Sequence, residues 1–524
     1  MALMRAVATV GGYTMLSRLT GFARDILIAA FMGAGPVADA FFVAFKLPNF
    51  FRRLFAEGAF NAAFVPLFAG RLATGGAASA REFAEEVLSV LALTLFAFVT
   101  CLQIAMPWLM YGFAPGFVDE PVRFDLAVEL ARLTFPYLLF ISLVSFFGGV
   151  LNSLNRFAAA AAAPVLLNLV MIGAILALTP HVATPGHALA WGVSAAGAVQ
   201  FLWLAVALSR AGMRLRLVRP RLTPGLRRLF ALVLPGALGA GVVQVNLFVD
   251  VIIASLLPTG AISFLYYADR VNELPVGVVG VAVGTALLPL LARQVRSGDD
   301  AGARASLNRA VELALLLGLP AATASFAIAG PIVAVLFERG AFGAAETAAT
   351  AAALMAFSVG LPAYVLVKVL APAFFAREDT RTPVRFAVIC VGVNFVLNIV
   401  LGLMSPLAHV GIASSTAIAA WLNTALLATA ARRRGYFVPD ARLRARLPRI
   451  LAAAVVMAAI VWLAARFAEP FFADGEIARA AAMAVLIGAG VAVFGVLVLA
   501  TGAAGLAELG RHLARARPGR AAGP

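Results

Sequence analysis

Ionisable side chains recur inside apolar runs of this chain, where lipid would reject them. The basic ones are Arg18, Arg24, Lys46, Arg52, Arg53, Arg132, Arg270 and Lys368, and the acids at similar depths are Asp25, Asp39, Glu57, Glu129, Asp250, Asp269 and Glu273. One charge at the centre of a bilayer costs about 2.5–3.5 kcal/mol even on insertion scales, so charges kept there imply a polar or aqueous interior. The arginine fork matches phosphate oxygens bidentately. An excess of arginine therefore points to an anionic or phosphorylated substrate, whereas a cation exporter would need a carboxylate-dominated cavity. Asp250, Asn394, Asn398 and Thr416 offer oxygens that suit a sodium ion, and they also suit plain interhelical hydrogen bonding.

Spacing sorts these residues further. Asp39, Lys46, Asn49, Arg53 and Glu57 advance by 7, 3, 4 and 4, which is one helical stripe. Arg52 lies round the helix from Arg53, three residues from Asn49. Arg18 and Asp25 share a face, Arg24 points elsewhere, and Asp269, Arg270 and Glu273 form a compact polar turn. Arg18, Arg24, Arg52 and Arg270 lack a same-helix acid at the best spacing and read as substrate-binding. Asp25, Asp39, Arg53, Glu57, Asp269 and Glu273 read as gating or charge-pairing groups. The competing reading, buried ion pairs that fix packing, fits Arg53–Glu57 and Glu129–Arg132 best. No Walker loop, His-Glu-x-x-His or nucleophile elbow occurs, so no catalytic residue is assigned. Uphill movement would draw on an ion gradient or the membrane potential.

Such charges need apolar elements to carry them, and the composition supplies these. The 524 residues are 63% hydrophobic and only 13% charged, with a mean hydropathy of +0.97. A soluble domain runs nearer 45–50% apolar and 25% charged, and disordered chains are poorer still in hydrophobics. An all-α polytopic membrane protein remains. Fourteen spans are expected, at 6–32, 38–68, 86–112, 124–151, 157–179, 185–208, 229–257, 261–292, 310–337, 347–376, 384–404, 408–431, 450–466 and 480–503, with Pro48, Pro136, Pro275 and Pro362 as candidate kinks. The net charge of +16 does not signal nucleic acid, because the basic residues come in short bursts between apolar runs. Counting them by alternate connections gives 29 on one side and 4 (Arg123, Arg339, Arg466 and Arg479) on the other. That asymmetry places both termini in the cytoplasm and requires an even number of spans. The two cysteines, Cys101 and Cys390, lie in apolar runs and form neither a disulfide framework nor a metal motif.

A weak repeat relates residues 41–71 to a segment 223 positions on, pairing Phe41/Phe264, Asn49/Asn272 and Pro66/Pro289 among six identities. Two parallel six-helix lobes explain it; convergent Ala/Leu composition is the alternative. The expected organisation is an N-terminal lobe (1–208), a basic linker (209–228), a C-terminal lobe (229–431), a basic loop (432–449), two further helices (450–503) and a cytoplasmic tail (504–524).

Five blocks carry a family resemblance: SRLTGFARD (17–25), DAFFVAFKLPNFFRRLFAEGAFNAAFVPLF (39–68), VLNSLNRF (150–157), YYADRVNELPVGVVGVAVGTALLP (266–289) and KVLAPAFFAREDTRTPV (368–384). They closely resemble the MurJ (MviN) family, bacterial flippases for lipid II, the undecaprenyl-pyrophosphate-linked precursor of peptidoglycan. The resemblance implies fourteen helices, two six-helix lobes around a cationic cavity, and a groove for the polyprenyl tail on helices 13 and 14. It implies a place in the cytoplasmic membrane, lipid II and membrane lipids as partners, and the peptidoglycan synthesis machinery as a further one. Multidrug exporters of the MATE type and polysaccharide flippases share the superfamily. The family's cavity residues match at Arg18, Arg24, Asp39, Arg52 and Arg270, with Asp25 and Glu57 in the same motifs. Asp250 fits an acid of some members, but Asn398 is not the acid a full sodium site would use. Other readings in view are a flippase for another polyprenyl-linked oligosaccharide, a MATE-like exporter, and a scaffold for cell-wall synthases.

Overall fold

Backbone N–H and C=O groups within hydrocarbon must pair inside the chain, which leaves helices as the available element for these apolar runs. The computed structural model describes residues 2–55, 59–473 and 475–503. Its helices are α1 (Ala2–Met32), α2 (Pro36–Phe55), α3 (Ala59–Ile104), α4 (Met106–Phe113), α5 (Pro121–Thr134), α6 (Tyr137–Ser153), α7 (Phe157–Leu178), α8 (Pro185–Arg210) and α9 (Pro224–Ser255). They continue with α10 (Ala261–Arg296), α11 (Asp300–Ala327), α12 (Ala329–Phe337), α13 (Ala344–Phe375), α14 (Arg381–Leu397), α15 (His409–Arg433), α16 (Ala441–Phe467), α17 (Glu469–Ala473) and α18 (Glu476–Ala500). The protein is an all-helical polytopic membrane protein.

Local chemistry sets many boundaries. Proline opens α2, α5, α8 and α9, where its missing N–H costs nothing. Thr223, Asp299 and Asp440 cap α9, α11 and α16 by accepting from the backbone N–H groups of Leu226, Gly302 and Leu443. Of the four candidate kinks, Pro136 separates α5 from α6, while Pro48, Pro275 and Pro362 lie inside uninterrupted helices. Two breaks come from elsewhere. Gly76, at φ 71°, bends α3, and a π-helical turn at Asn398–Leu403 follows α14.

Among the described residues, ten stretches are long and apolar enough to cross a membrane. The other four expected spans fall on α1, α2, α9 and α10. These four helices carry Arg18, Arg24, Asp25, Asp39, Lys46, Arg52, Arg53, Asp250, Asp269, Arg270 and Glu273, most of the charge assigned to spans.

Packing divides the chain into two compact units, residues 1–263 with 339–346, and residues 264–338 with 347–524. In the first, α8 packs on α6 and α7, α1 on α7, α2 on α5, and α9 on α2 and α3, around phenylalanines such as Phe41, Phe64, Phe83 and Phe146 that exclude solvent completely. In the second, α11 packs on α16, α14 on α15, and α16 on α18. Met457 and Val461 of α16 meet Met483 and Leu486 of α18 in one apolar cluster.

Candidate functional site

Asp39 sits in the first turn of α2, fully excluded from solvent, and accepts four hydrogen bonds within the first unit. Arg123 Nη2 and Gly260 N donate to Oδ2 at 2.6 and 2.7 Å, and Ser263 N and Oγ donate to Oδ1 at 2.9 and 2.6 Å. Gly260 and Ser263 flank the start of α10, so the carboxylate fills the anion position at that helix's N-terminus and neutralises its dipole. Arg123, in the first turn of α5, is 2% exposed and lies 3.8 Å over the Phe117 ring. Its Nη1 reaches Glu120 and Thr259, each at 3.3 Å. Three helix starts therefore meet on one buried ion pair.

The same end of the first unit is closed by backbone contact. Ala341 N donates to Ala30 O at 2.8 Å, with glycines in left-handed conformation beside it, Gly33 (φ 64°) and Gly340 (φ 57°). Gly116 N donates to Ser255 Oγ at 3.2 Å, and a Cβ at Gly116 would lie 2.1 Å from Ser255 O.

Deeper in α1, Arg24 is buried and its guanidinium is engaged internally. Nη2 and Nε donate to Asp25 Oδ1 at 2.6 and 3.0 Å, and Nη1 donates to Asn168 Oδ1 at 3.0 Å. Asn168 of α7 donates in turn to Ser17 O at 2.9 Å and Thr20 Oγ1 at 3.2 Å, fastening α7 to α1. Arg18, two turns earlier on α1, is exposed. On α2, half-buried Arg52 donates through Nε to Asn49 Oδ1 at 3.2 Å, and Arg53 is exposed. Glu57 lies outside the described residues, and so does the Arg53–Glu57 pairing.

In the second unit, Arg270 Nη1 bonds Glu273 Oε2 at 2.9 Å, on a helix that also presents exposed Asp269. Asn398 donates to Asn394 at 3.2 Å, both buried, while the Thr416 hydroxyl donates to its own helix at Ile412 O, 3.0 Å away. Asp250 is half-buried in α9 of the first unit. An apolar cavity of about 640 Å³ opens between α11, α13 and α16, lined by Phe326, Ser358, Val359, Val455, Ala459 and Trp462 among others.

One expected packing pair is corrected. Glu129 does not meet Arg132; it lies 3.3 Å from His187 Nε2, and Arg132 exchanges hydrogen bonds with the backbone and side chain of Gln103. Neighbours on other helices outcompete the i,i+3 partner. Sequence reasoning also missed Arg123, counted with a connection, and Asn168 and Ser263, which are neutral. Asp39 lies 84 residues from Arg123 and 224 from Ser263, so no helical spacing links them. The usable signal was Arg123 two residues after Pro121, a charge placed in the first turn of a helix that proline opens.

Comparison with known proteins agrees in sequence and in fold. The probable lipid II flippase MurJ of Rhizobium meliloti (strain 1021) is 45% identical over 522 residues, covering 98% of this chain and 97% of the relative. The lipid II flippase MurJ of Burkholderia cenocepacia is 38% identical over 474 residues, covering 89% of this chain and 91% of the relative. A solved lipid II flippase MurJ in an inward closed conformation superposes with a TM-score of 0.77 at 24% identity, covering 97% of this chain and 99% of that one. An inward-facing MATE family multidrug transporter of the MOP superfamily gives 0.64 at 16% identity, over 82% of this chain and 98% of that one, a likeness of fold alone. The family model described as lipid II flippase MurJ matches residues 28–482, from the last turns of α1 into α18. The match takes in the Asp39 network, the Arg270 turn and residues of both units, and the relatives align along nearly the whole chain: this chain belongs to the lipid II flippase MurJ family.

Proposed function

We propose that this chain moves lipid II from the inner to the outer leaflet of the cytoplasmic membrane by alternating access, supplying peptidoglycan synthesis. The observation that carries the reading is the family match along nearly the whole chain, together with charged helices that lipid alone would not tolerate. Two lobes (1–208 and 229–431) move against each other, with both termini, the linker 209–228, the loop 432–449 and the tail 504–524 in the cytoplasm. Arg18, Arg52 and Arg270 meet the pyrophosphate and its sugar-peptide head, and Arg24, held by Asp25 and Asn168, shapes the face that presents Arg18. The network at Asp39 is the seal that must open to release the head outside. The polyprenyl tail stays in lipid along helices 450–503, and the apolar cavity beside α16 suits it. No bond is made or broken in this work, so the protein acts as a transporter, and synthases of the wall take its product.

The test is depletion in a strain with no substitute flippase. External probes should then find lipid II missing from the outer leaflet, and the cells should lyse; normal external lipid II would overturn the proposal. A flippase for another polyprenyl-linked oligosaccharide is the alternative reading, and complementation of a strain lacking its lipid II flippase separates the two. Sodium coupling through Asp250 is the subordinate proposal. It predicts that replacing sodium by choline slows flipping and that Asp250→Asn removes the difference.

A further inference from the structure

The segment that joins α8 to α9 is not a slack tether. Residues 211–223 are non-helical, yet their course is pinned to α3 by three bonds. Arg216 N donates to Glu85 Oε1 at 3.1 Å, Val218 N to Ser89 Oγ at 2.8 Å, and Thr223 Oγ1 to Glu86 Oε2 at 2.9 Å. Glu85 is also bonded by Arg81 of the same helix at 2.9 Å, so Glu85 and Glu86 are engaged by the strap's backbone, by its Thr223 hydroxyl and by a side chain of α3 itself. Between Arg210 and Arg228 stand seven arginines and no acid, and none of the seven forms an ion pair among the described residues. Arg214, Arg216, Arg219 and Arg221 all point into solvent-accessible space. Interleaved with them, Leu217 is 71% exposed and Leu222 62% exposed, an arrangement that plain solvation does not explain.

We propose that this strap is a docking surface for anionic phospholipid headgroups on the membrane face where it lies. Both of its ends enter membrane-spanning helices, and Glu85 to Ser89 mark the boundary of the third expected span. The strap is therefore held at interfacial depth before any lipid is considered. Arginines attract the anionic leaflet and exposed leucines bury into the acyl boundary, the combination that basic interfacial segments use. Pinning by α3 removes the ordering cost that a free loop would bear on binding. An acidic protein is the weaker candidate, because both ends of the strap enter helices that cross the membrane and the two leucines are thereby held beside the acyl boundary.

The test uses full-length protein with Cys101 and Cys390 replaced by serine and a spin label at Leu217→Cys or Leu222→Cys. It is reconstituted in phosphatidylcholine vesicles with or without 30% phosphatidylglycerol. With phosphatidylglycerol, collision with a water-soluble nickel chelate should fall and collision with oxygen should rise, and high salt should reverse both. Glutamine at Arg214, Arg216, Arg219 and Arg221 together should abolish the dependence on phosphatidylglycerol while an unchanged gel-filtration profile reports intact folding. Labels equally open to the chelate in both vesicles would overturn the proposal, as would insertion that survives the fourfold glutamine variant. A single-site label on α3 at Thr74, exposed and off the strap, should show no lipid dependence; a shift there matching the strap's would mean whole-protein reorientation and would also defeat it.

Discussion

Gly33 closes on the backbone of Ala341, next to Gly340, and Gly340 closes on the backbone of Ala30, a turn before Gly33. A Cβ on Gly33 would lie 2.4 Å from Ala341 O, and one on Gly340 would lie 2.3 Å from Ala30 O. Both residues hold positive φ, which costs an L-residue about 1–2 kcal/mol before any clash. Alanine at either position should therefore part the Ala341–Ala30 hydrogen bond. Cysteines at Ala30 and Ala341, in a background lacking Cys101 and Cys390, should cross-link under oxidation and arrest flipping, with recovery on reduction. Full flipping with the cross-link in place would show that this contact does not part during transport.

Asp39 and Arg123 are both withdrawn from solvent, so removing one charge strands the other. Asp39→Asn and Arg123→Gln should each lower stability by about 3–5 kcal/mol. The double variant should lose less than the two singles combined, read from thermal unfolding in detergent. Strict additivity would mean that the pair is not coupled.

Two arginines of one motif should part company experimentally. Arg24 is enclosed by Asp25 and Asn168, whereas Arg18 is exposed. Arg24→Ala should reduce membrane abundance together with complementation, and Asn168→Ala should resemble it in milder form. Arg18→Ala should keep its abundance and still fail to complement. Quantitative immunoblots beside growth curves decide this, and equal abundance for both arginine variants would count against the assignment.

For the polyprenyl tail, a photo-reactive amino acid at Trp462, on the apolar cavity, should capture labelled lipid II. The same group at Ile477, exposed near the start of α18, should capture far less. Comparable yields at the two positions would reduce the cavity to general lipid contact.

Energy for the cycle should come from voltage. One elementary charge crossing 100 mV is worth about 2.3 kcal/mol, and outward movement of an anionic head from a negative interior runs downhill. In proteoliposomes, a potassium diffusion potential of that polarity should raise the flipping rate and its reversal should lower it. Rates indifferent to voltage but dependent on ATP would refute the scheme.

The helices were legible because length and apolarity alone define them in lipid, and Asp39 was legible because a carboxylate there demands explanation. Its partners were not. Arg123 lies in a stretch that reads as a connection, and Ser263 and Asn168 carry no charge to draw notice. The i,i+3 rule failed at Glu129 because His187 and Gln103 bring stronger tertiary neighbours. The bend at Gly76 hid in an Ala- and Gly-rich run, whereas the prolines that draw the eye, Pro48, Pro275 and Pro362, lie within single helices. Lateral packing against other helices, which one sequence does not display, decides such cases.

The donor set of Asp39 also orders the protein's birth. Three of its four hydrogen bonds come from residues 260–263, and the Ala30 carbonyl waits for Ala341. A nascent chain halted at residue 257 holds Asp39 with most of its hydrogen bonds still unmade and Arg123 without Thr259, and an unsatisfied buried polar group is costly in hydrocarbon. The first unit thus matures only as later helices leave the ribosome, so nascent chains arrested near residue 257 should be preferred clients of membrane quality-control proteases, and those arrested beyond residue 346 should escape them.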